Sequence, residues 1–169
     1  LGDVYPAAAQ IALSERLGRL FPGERRQVIL GQSGADAITA ALKTACVATG
    51  RPGVVAFQGA YHGLSYAPLA ACGFRPSYRE PFGEQLNPRV TFLEVPQTRE
   101  EGSRVLESLD DVLSRGEVGA VLFEPILGRA GVVEFPPLFL REMAERARHH
   151  GAILVADEIW TGLGRSGAS

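Results

Sequence analysis

The sequence predicts an α/β protein in which a mostly parallel sheet carries helices on both faces. Segments with strand character alternate with segments of helical periodicity along the chain. Several strands are continuous apolar runs, which is typical of parallel strands covered on both faces. The unusual polar residues come just after strands, where such sheets bind their ligands. We therefore expect one ligand-binding domain over residues 1–169 and no second domain within the chain.

The composition is that of an ordinary globular domain. Of the 169 residues, 46% are hydrophobic, and a chain of this length is large enough to bury a core. The charged residues make up 21%, which is ordinary for such a domain. The formal net charge of −2 gives no argument for nucleic acid or an acidic membrane as a partner. The sequence has no run of the roughly 18 apolar residues that a membrane helix needs. Cys46 and Cys72 lack metal-ligand spacing and are typical of small buried thiols, so we expect a cytoplasmic location.

The first half of the chain predicts two helices and two strands. A helix over residues 6–21 is indicated by a proline in its first turn and by apolar residues at helical spacing. The apolar run QVIL at residues 27–30 predicts a strand. A glycine-containing turn at residues 31–34 then opens an alanine-rich helix that stops at Gly50. The next apolar run, GVVAF at residues 53–57, predicts a second strand.

The second half predicts an irregular loop, two helices and three strands. Residues 73–89 are rich in glycine, proline, arginine and aromatic residues, which indicates a long loop. An amphipathic helix should span residues 99–114, and a helix with a basic last turn should run from Pro136 or Pro137 to His150. The predicted strands are at residues 89–95, 118–125 and 152–158. We expect aspartate in place of Val155 or Leu163 to unfold the domain by burying a charge.

Two glycine-bounded turns offer ligand contacts. GQSGADA at residues 31–37 opens a helix, whose free N–H groups suit a phosphate, and Ser33 could add its hydroxyl. An ordinary serine N-cap explains these residues equally well. GAYHG at residues 59–63 contains Tyr61, which could stack on a planar ligand, and His62, which could exchange protons. A core tyrosine and a structural histidine are the favoured alternative when this turn is considered alone.

Carboxylates stand at the ends of two apolar strands: Glu124 in FEP, and Asp157 with Glu158 in ADE. A buried carboxylate needs a cationic or hydrogen-bonding partner. That partner can be a metal, a sugar hydroxyl or a protonated ring nitrogen, and a salt bridge to an arginine is the structural alternative. No histidine lies near either acid in the sequence and no Cys/His metal spacing occurs, which disfavours a metal. The absence of GxxxxGK[ST] and GxGxxG motifs disfavours a generic nucleotide binder.

Four motifs, taken together and in order, make the chain resemble the class III aminotransferases, which are pyridoxal-phosphate enzymes of fold type I. The four stretches are SGADAITAALK at 33–43, GAYHG at 59–63, EPILGRAGVVEFPPLFL at 124–140 and DEIWTGLGRSG at 157–167. They are similar to the family patterns SGSEANEAALK, GxYHG, EPxQGEGGVxxPPxxFL and DEVQTGFGRTG. The resemblance covers nearly the whole chain and implies an incomplete large, cofactor-binding domain of that fold.

The resemblance implies a site for pyridoxal 5′-phosphate. Gly34 and Ala35 would bind the phosphate through main-chain N–H groups. Tyr61 and Ile159 would pack on opposite faces of the pyridine ring. Asp157 would be the catalytic residue that keeps the ring nitrogen protonated, so that the ring acts as an electron sink. The implied cofactor-binding residues are Ser33, Gly34, Ala35, Tyr61, His62, Glu124, Asp157, Ile159 and Trp160.

The chain departs from the family pattern at positions that bear on ligand recognition. Ala35 replaces a serine that contacts the phosphate, and Trp160 replaces a glutamine that bonds the phenolic oxygen of the cofactor. Leu64 stands where acetylornithine-type members carry arginine, which argues against that substrate. Arg129 stands where ornithine- and 4-aminobutyrate-type members carry a glutamate that pairs with a carboxylate-binding arginine. The resemblance therefore does not extend to that glutamate.

The resemblance implies transfer of an amino group from an amino acid or ω-amine to a 2-oxo acid. A same-family aminomutase, racemase or decarboxylase remains an alternative because the electron sink is common to all of them, and so does a non-catalytic homologue. The family's Schiff-base lysine lies downstream of Ser169, and Lys43 lies on the helix after the phosphate turn. Because the chain begins at Leu1 and its only methionine is Met143, we expect a piece of a longer protein, and without that lysine we expect the piece to be inactive. The resemblance implies a homodimer for the whole enzyme.

Overall fold

The computed structural model describes residues 5–21 and 27–167 and contains a four-stranded sheet with helices on both faces. The strands are β1 (Gly53–Phe57), β2 (Val90–Leu93), β3 (Val118–Phe123), β4 (Ile126–Leu127), β5 (Val133–Glu134) and β6 (Ile153–Ala156). The order in the main sheet is β2-β1-β3-β6, and each neighbouring pair is parallel. The short strands β4 and β5 form a separate antiparallel hairpin. The predicted α/β class with a mostly parallel sheet is confirmed.

The described part of the chain contains four helices that the periodicity predicts and two short ones that it does not. They are α1 (Ala8–Gly18), α2 (Gly34–Thr49), α3 (Tyr66–Ala70), α4 (Pro76–Arg79), α5 (Arg99–Ser114) and α6 (Phe139–His149). Local chemistry fixes the ends of the two longest. The Ser33 hydroxyl accepts the N–H of Asp36 at the start of α2, and α2 ends at Gly50, whose φ of 68° is in the left-handed region. The Thr98 hydroxyl caps α5 in the same way.

Alternate residues of the central strands face two separate apolar layers. Val55 and Phe57 of β1 pack in the cluster that contains α5 and α6, whereas Val54 and Ala56 pack in the cluster that contains α2. Strand β3 divides its residues between the same two clusters. Both strands are buried along their whole length. Burial on both faces is the reason why they appear in the sequence as continuous apolar runs.

Several element predictions differ from the structure. Residues 27–30 form no strand, because the described part of the chain provides no strand beside them, and Ile29 and Leu30 are 68% and 40% exposed. The helix predicted over residues 6–21 is shorter, and its Ile11 and Leu13 are each 47% exposed. The loop predicted at residues 73–89 contains α4 and a 3-10 helix, Glu80–Gln85. The periodicity does not predict α3 or the short strands β4 and β5. The remaining predicted helices and strands lie where the periodicity places them, with ends that differ by a few residues.

The topology brings one end of three strands to the same edge of the sheet. Strands β1 and β6 both pair with β3 in the parallel sense, so the segments that follow all three strands meet at the carboxyl edge. These segments are the turn at residues 59–63, Glu124 and Asp157. The start of α2 lies at the same edge, where Gly34 and Ala35 line one cleft together with these residues. In residues 5–21 and 27–167, no helix is both long enough and apolar enough to cross a membrane.

Aspartate at two apolar positions near the end of the chain should change the free energy of unfolding by very different amounts. Val155 is 8% exposed and packs in the α2-side cluster, so Val155→Asp should lower the free energy of unfolding by at least about 3 kcal/mol. Leu163 is 83% exposed, so the expectation that aspartate there unfolds the domain is wrong. Leu163→Asp should change stability by no more than about 0.5 kcal/mol. Urea unfolding of both variants, expressed from the complete reading frame, checks this, and equal losses would contradict it.

Candidate functional site

A cleft of about 330 Å³ opens at the carboxyl ends of β1, β3 and β6, and its size is typical of a small-molecule site. It is lined by Gly34, Ala35, Tyr61, His62, Gly63, Glu124, Gly128, Arg129, Asp157, Ile159 and Trp160. All the cofactor residues implied by the resemblance, except Ser33, are among them. The cleft collects these residues from four separate stretches of the chain because the strands that precede three of the stretches are parallel neighbours.

Asp157 and His62 form a buried pair at this cleft. Asp157 is 6% exposed, and its own N–H donates to the carbonyl oxygen of Phe123 at 2.8 Å, which extends the pairing of β6 with β3. Its Oδ2 lies 2.8 Å from Nδ1 of His62, and its Oδ1 accepts the N–H of Ile159 at 3.2 Å. Where the carboxylate is the acceptor, the proton of this hydrogen bond comes from Nδ1 of His62. In the described part of the chain, Nε2 of His62 has no hydrogen-bond partner although it is buried.

The pair overturns one inference from the sequence. His62 and Asp157 are 95 positions apart in the sequence, so the residues that flank Asp157 give no sign of this partner. The fold places the segments after β1 and β6 on either side of β3, and the two side chains meet there. His62 is also not the structural histidine bonded to backbone that the turn alone favours, because the bond from its Nδ1 goes to a carboxylate. The expectation that no histidine lies near this acid is therefore wrong.

Glu124 joins two loops of the cleft through backbone donors. It is 8% exposed, and its Oε1 accepts the N–H of Tyr61 at 2.7 Å while its Oε2 accepts the N–H of Gly128 at 3.3 Å. These donors replace the arginine salt bridge that the sequence allowed as the structural alternative. Burial raises the pKa of the Glu124 carboxyl above its ordinary value, and the two N–H groups offset part of that rise. Glu124 thus fixes the backbone on both sides of the cleft.

Asp157 and Glu158 have opposite environments although they are adjacent. Glu158 is exposed and does not line the cleft, and its Oε2 accepts the hydroxyl proton of Thr161 at 2.6 Å. Successive side chains of an extended segment point to opposite sides, which separates the two acids. The pattern of residues singles out both acids and the family resemblance chooses Asp157, which is the one that lines the cleft.

The walls of the cleft combine aromatic and apolar side chains with close backbone approaches. Ile159 is 59% exposed and Trp160 is 65% exposed. Glycines sit beneath both: a Cβ added at Gly34 would collide with Cδ1 of Ile159, and one added at Gly128 would lie 2.7 Å from Cε3 of Trp160. The guanidinium carbon of Arg129 lies 4.0 Å from the centroid of the Tyr61 ring. This cation–π contact could not be inferred from the sequence, where Arg129 is notable only as a departure from the family pattern.

Ser33 and Lys43 lie outside the cleft. Ser33 is exposed, and its hydroxyl accepts the N–H of Asp36 at 3.2 Å. Its geometry is that of an ordinary serine N-cap, which is the alternative to a phosphate contact at this residue. Lys43, the only lysine of the sequence, is exposed on α2. In residues 5–21 and 27–167, no three His, Cys, Asp or Glu side chains are grouped so that they could hold a metal ion.

Comparison with known proteins identifies the family. The chain matches the family model of the class III aminotransferases over residues 3–169. The chain belongs to the class III aminotransferase family. The family resemblance of the four motifs is therefore confirmed. The Asp157–His62 pair and the Glu124 clamp are features of this class III chain.

Proteins to which this chain is similar have several different activities. The chain is 36% identical to the aminotransferase PigE of a Serratia species, over 92% of this chain and 17% of PigE. It is 34% identical to an alanine/serine racemase of Pyrococcus horikoshii, over 93% of this chain and 37% of the racemase. The pyridoxal-phosphate-bound amine transaminase of an uncultivated Pseudomonas species superposes with a TM-score of 0.84 at 28% identity, over 94% of this chain and 40% of that one. The fold prediction is confirmed, and the chain spans well under half the length of these three proteins.

Replacement of Glu124 tests the backbone clamp. Glu124→Gln presents an amide N–H₂ to one of two backbone N–H groups, so the free energy of unfolding should fall by about 1–3 kcal/mol. The pKa of Glu124 is higher in the folded protein than its ordinary value of about 4.5. Between that value and the raised pKa, the folded protein holds a proton on Glu124 that the unfolded chain has lost. The contribution of Glu124 to the free energy of unfolding therefore declines as the pH rises from about 4.5 through the raised pKa. The wild-type advantage over the glutamine variant should therefore shrink from pH 4.5 upward.

Denaturant unfolding over a pH series measures this change, with the exposed Glu84→Gln as the matched control. The side chain of Glu84 makes no hydrogen bond or ion pair with the described residues, so its replacement should leave stability unchanged at each pH. An advantage of wild type over Glu124→Gln that grows with rising pH would contradict the assigned pKa direction.

Proposed function

We propose that this chain forms the cofactor-binding part of a pyridoxal-phosphate-dependent aminotransferase that moves an amino group from an amino acid or ω-amine to a 2-oxo acid. The observation that carries the proposal is the buried Asp157 carboxylate, held by His62 and the N–H of Ile159 at a cleft of a class III chain. A buried carboxylate at such a cleft suits a protonated ring nitrogen. The Pseudomonas structure with bound pyridoxal phosphate supports the choice of cofactor.

Two parts of the cleft lining suit the two polar groups of this cofactor. Gly34 and Ala35 line the cleft in the first turn of α2, and in the described part of the chain no acceptor is found for their N–H groups. Free N–H groups and the positive end of the helix dipole favour a phosphate there. The Asp157 carboxylate would accept a hydrogen bond from the ring nitrogen, since each of its oxygens still has a free lone pair. The residues present therefore fit the cofactor.

Five of the side chains that line the cleft then have a physical task. When bound, the cofactor supplies an electron sink for the substrate carbon that loses its proton. Asp157 would stabilise a proton on the ring nitrogen, and His62 would keep the carboxylate in place and partly screened from water. Tyr61 and Ile159 would pack on the two faces of the ring and exclude water from it. Glu124 would act indirectly, by holding the main chain of Tyr61.

The lysine that the family requires is a separate proposal. Lys43 is exposed on α2 and does not line the cleft, so it does not serve there. We infer that the catalytic lysine, the remaining substrate contacts and the homodimer contacts lie outside residues 1–169. Homodimerisation, a cytoplasmic location and the assignment of the chain to one large domain stay predictions.

A racemase is the second candidate, because one relative at 34% identity is an alanine/serine racemase. The proton-holding function of Asp157 is common to both reactions, so the cleft residues named above do not separate them. The products do: a transaminase converts the amino donor to an oxo acid, whereas a racemase inverts the donor and needs no acceptor. Aminomutase and decarboxylase chemistry are distinguished by their products in the same way.

Absorbance of the protein expressed from its complete reading frame tests the proposed function. We expect a yellow protein that loses its visible band on borohydride reduction, because reduction fixes the cofactor to a lysine. Peptide mapping by mass spectrometry should find one modified lysine, outside residues 1–169. A colourless protein without a modified lysine after incubation with pyridoxal phosphate would favour a non-catalytic homologue.

Replacement of Asp157 tests its assigned role. Asp157→Asn keeps the shape and one acceptor oxygen but removes the charge, so turnover should fall by at least about 100-fold, as expected for the loss of a preorganised electrostatic contact. The adjacent, exposed Glu158→Gln is the matched control and should stay within about threefold of wild type. The melting temperature is measured in parallel to separate unfolding from loss of chemistry. Full activity of Asp157→Asn would remove Asp157 from the mechanism.

A further inference from the structure

Arg129 supplies the only permanently charged cation among the residues that line the cleft in the described part of the chain. Neither Asp157 nor Glu124, the two acids of the cleft, forms an ion pair with Arg129. Asp157 is bonded to His62 and to a backbone N–H, and Glu124 is bonded to two backbone N–H groups. Arg129 makes no hydrogen bond or ion pair with any residue at 5–21 or 27–167, so its guanidinium N–H donors are available to a ligand.

The position of Arg129 is held from two sides. Its guanidinium lies against the Tyr61 ring, with the guanidinium carbon 4.0 Å from the ring centroid. Its backbone belongs to a short loop that is closed by the β4–β5 hairpin and tied by the bond from the N–H of Gly128 to Glu124. Such restraint lowers the entropy that the side chain loses when it binds a ligand.

We propose that Arg129 binds the carboxylate of the substrate, so that the cleft selects amino acids and oxo acids over amines that lack a carboxylate. The proposal rests on the proposed function. A guanidinium matches a carboxylate through two parallel N–H···O hydrogen bonds. Asp157 and Glu124 would otherwise repel an anionic ligand, and Arg129 offsets that repulsion at the exposed side of the cleft.

The phosphate of the cofactor is the other anion that Arg129 could meet. The first turn of α2 already offers the N–H groups of Gly34 and Ala35 to a phosphate. Arg129 is on a different loop, next to the aromatic ring of Tyr61. The phosphate thus has donors of its own, which leaves Arg129 for the substrate.

The test compares substrates that differ only in a carboxylate. L-Alanine is paired with isopropylamine and 4-aminobutyrate with butylamine, so that a methyl group replaces the carboxylate in each pair. In the cofactor-loaded protein from the complete reading frame, Arg129→Gln should lower kcat/KM for the acid by about 10- to 100-fold, mainly through KM. It should lower kcat/KM for the matching amine by less than about threefold, and Arg129→Lys should be intermediate because it keeps the charge but not the planar fork.

Arg75→Gln is the matched control, because Arg75 also lies over an aromatic ring, that of Phe74 at 5.0 Å, but does not line the cleft. Arg75→Gln should leave kcat/KM unchanged for both the acids and the matching amines. Equal losses for acids and amines in Arg129→Gln would overturn the proposal. A weaker pyridoxal-phosphate affinity, with substrate preference intact, would also overturn it and assign Arg129 to the phosphate.

Calorimetric titration with glutarate, an unreactive dicarboxylate, separates this inference from the proposed function. The titration needs no turnover and is performed with and without pyridoxal phosphate. A glutarate Kd that rises by about 10- to 100-fold in Arg129→Gln supports the carboxylate site even if no transaminase activity is found. An equal Kd in both proteins, or no binding to wild type, overturns it.

Discussion

The buried hydrogen bond between Asp157 and His62 is the interaction on which the candidate site depends. A carboxylate that is 6% exposed would be costly without donors, and the fold supplies them from the segment after β1 and from the N–H of Ile159. This requirement explains why β6 must lie next to β3, and β3 next to β1. If either pairing shifted by one residue, the acid would turn to the opposite side of the sheet and lose its partner.

Glu124 does for the main chain what His62 does for Asp157. Its two oxygens each hold one backbone N–H, one beside the aromatic ring of the cleft and one at the base of the loop that carries Arg129. A single buried carboxylate thereby sets the relation between Tyr61 and Arg129. Glu124 forms no ion pair with Arg129. It acts on the contact between Arg129 and Tyr61 through the main chain, by its hydrogen bonds to the N–H groups of Tyr61 and Gly128.

The sequence did not predict the order of the strands in the sheet, but it identified the fold class and most of the longer elements, and the family resemblance identified most of the cleft residues. Continuous apolar runs predict buried parallel strands because both faces of β1 and β3 are covered. The failures have a common cause, since they depend on contacts distant in the sequence. Residues 27–30 have strand composition but no neighbouring strand in the described ranges, and the Asp157–His62 pair joins positions that no local pattern connects. The Arg129–Tyr61 contact belongs to the same group.

The position of β6 at the end of the sheet order has a consequence for handling the polypeptide in isolation. Strand β6 bonds to β3 on one side, and within residues 5–21 and 27–167 no strand bonds to its other side. Its Ile153 and Leu154 are only half-buried, so apolar side chains accompany a row of unpaired backbone donors and acceptors. Such an edge acts as a template for strands of other molecules. In a preparation of residues 1–169 alone, the strand that leads into Asp157 is therefore the edge at which pairing with another molecule is expected first.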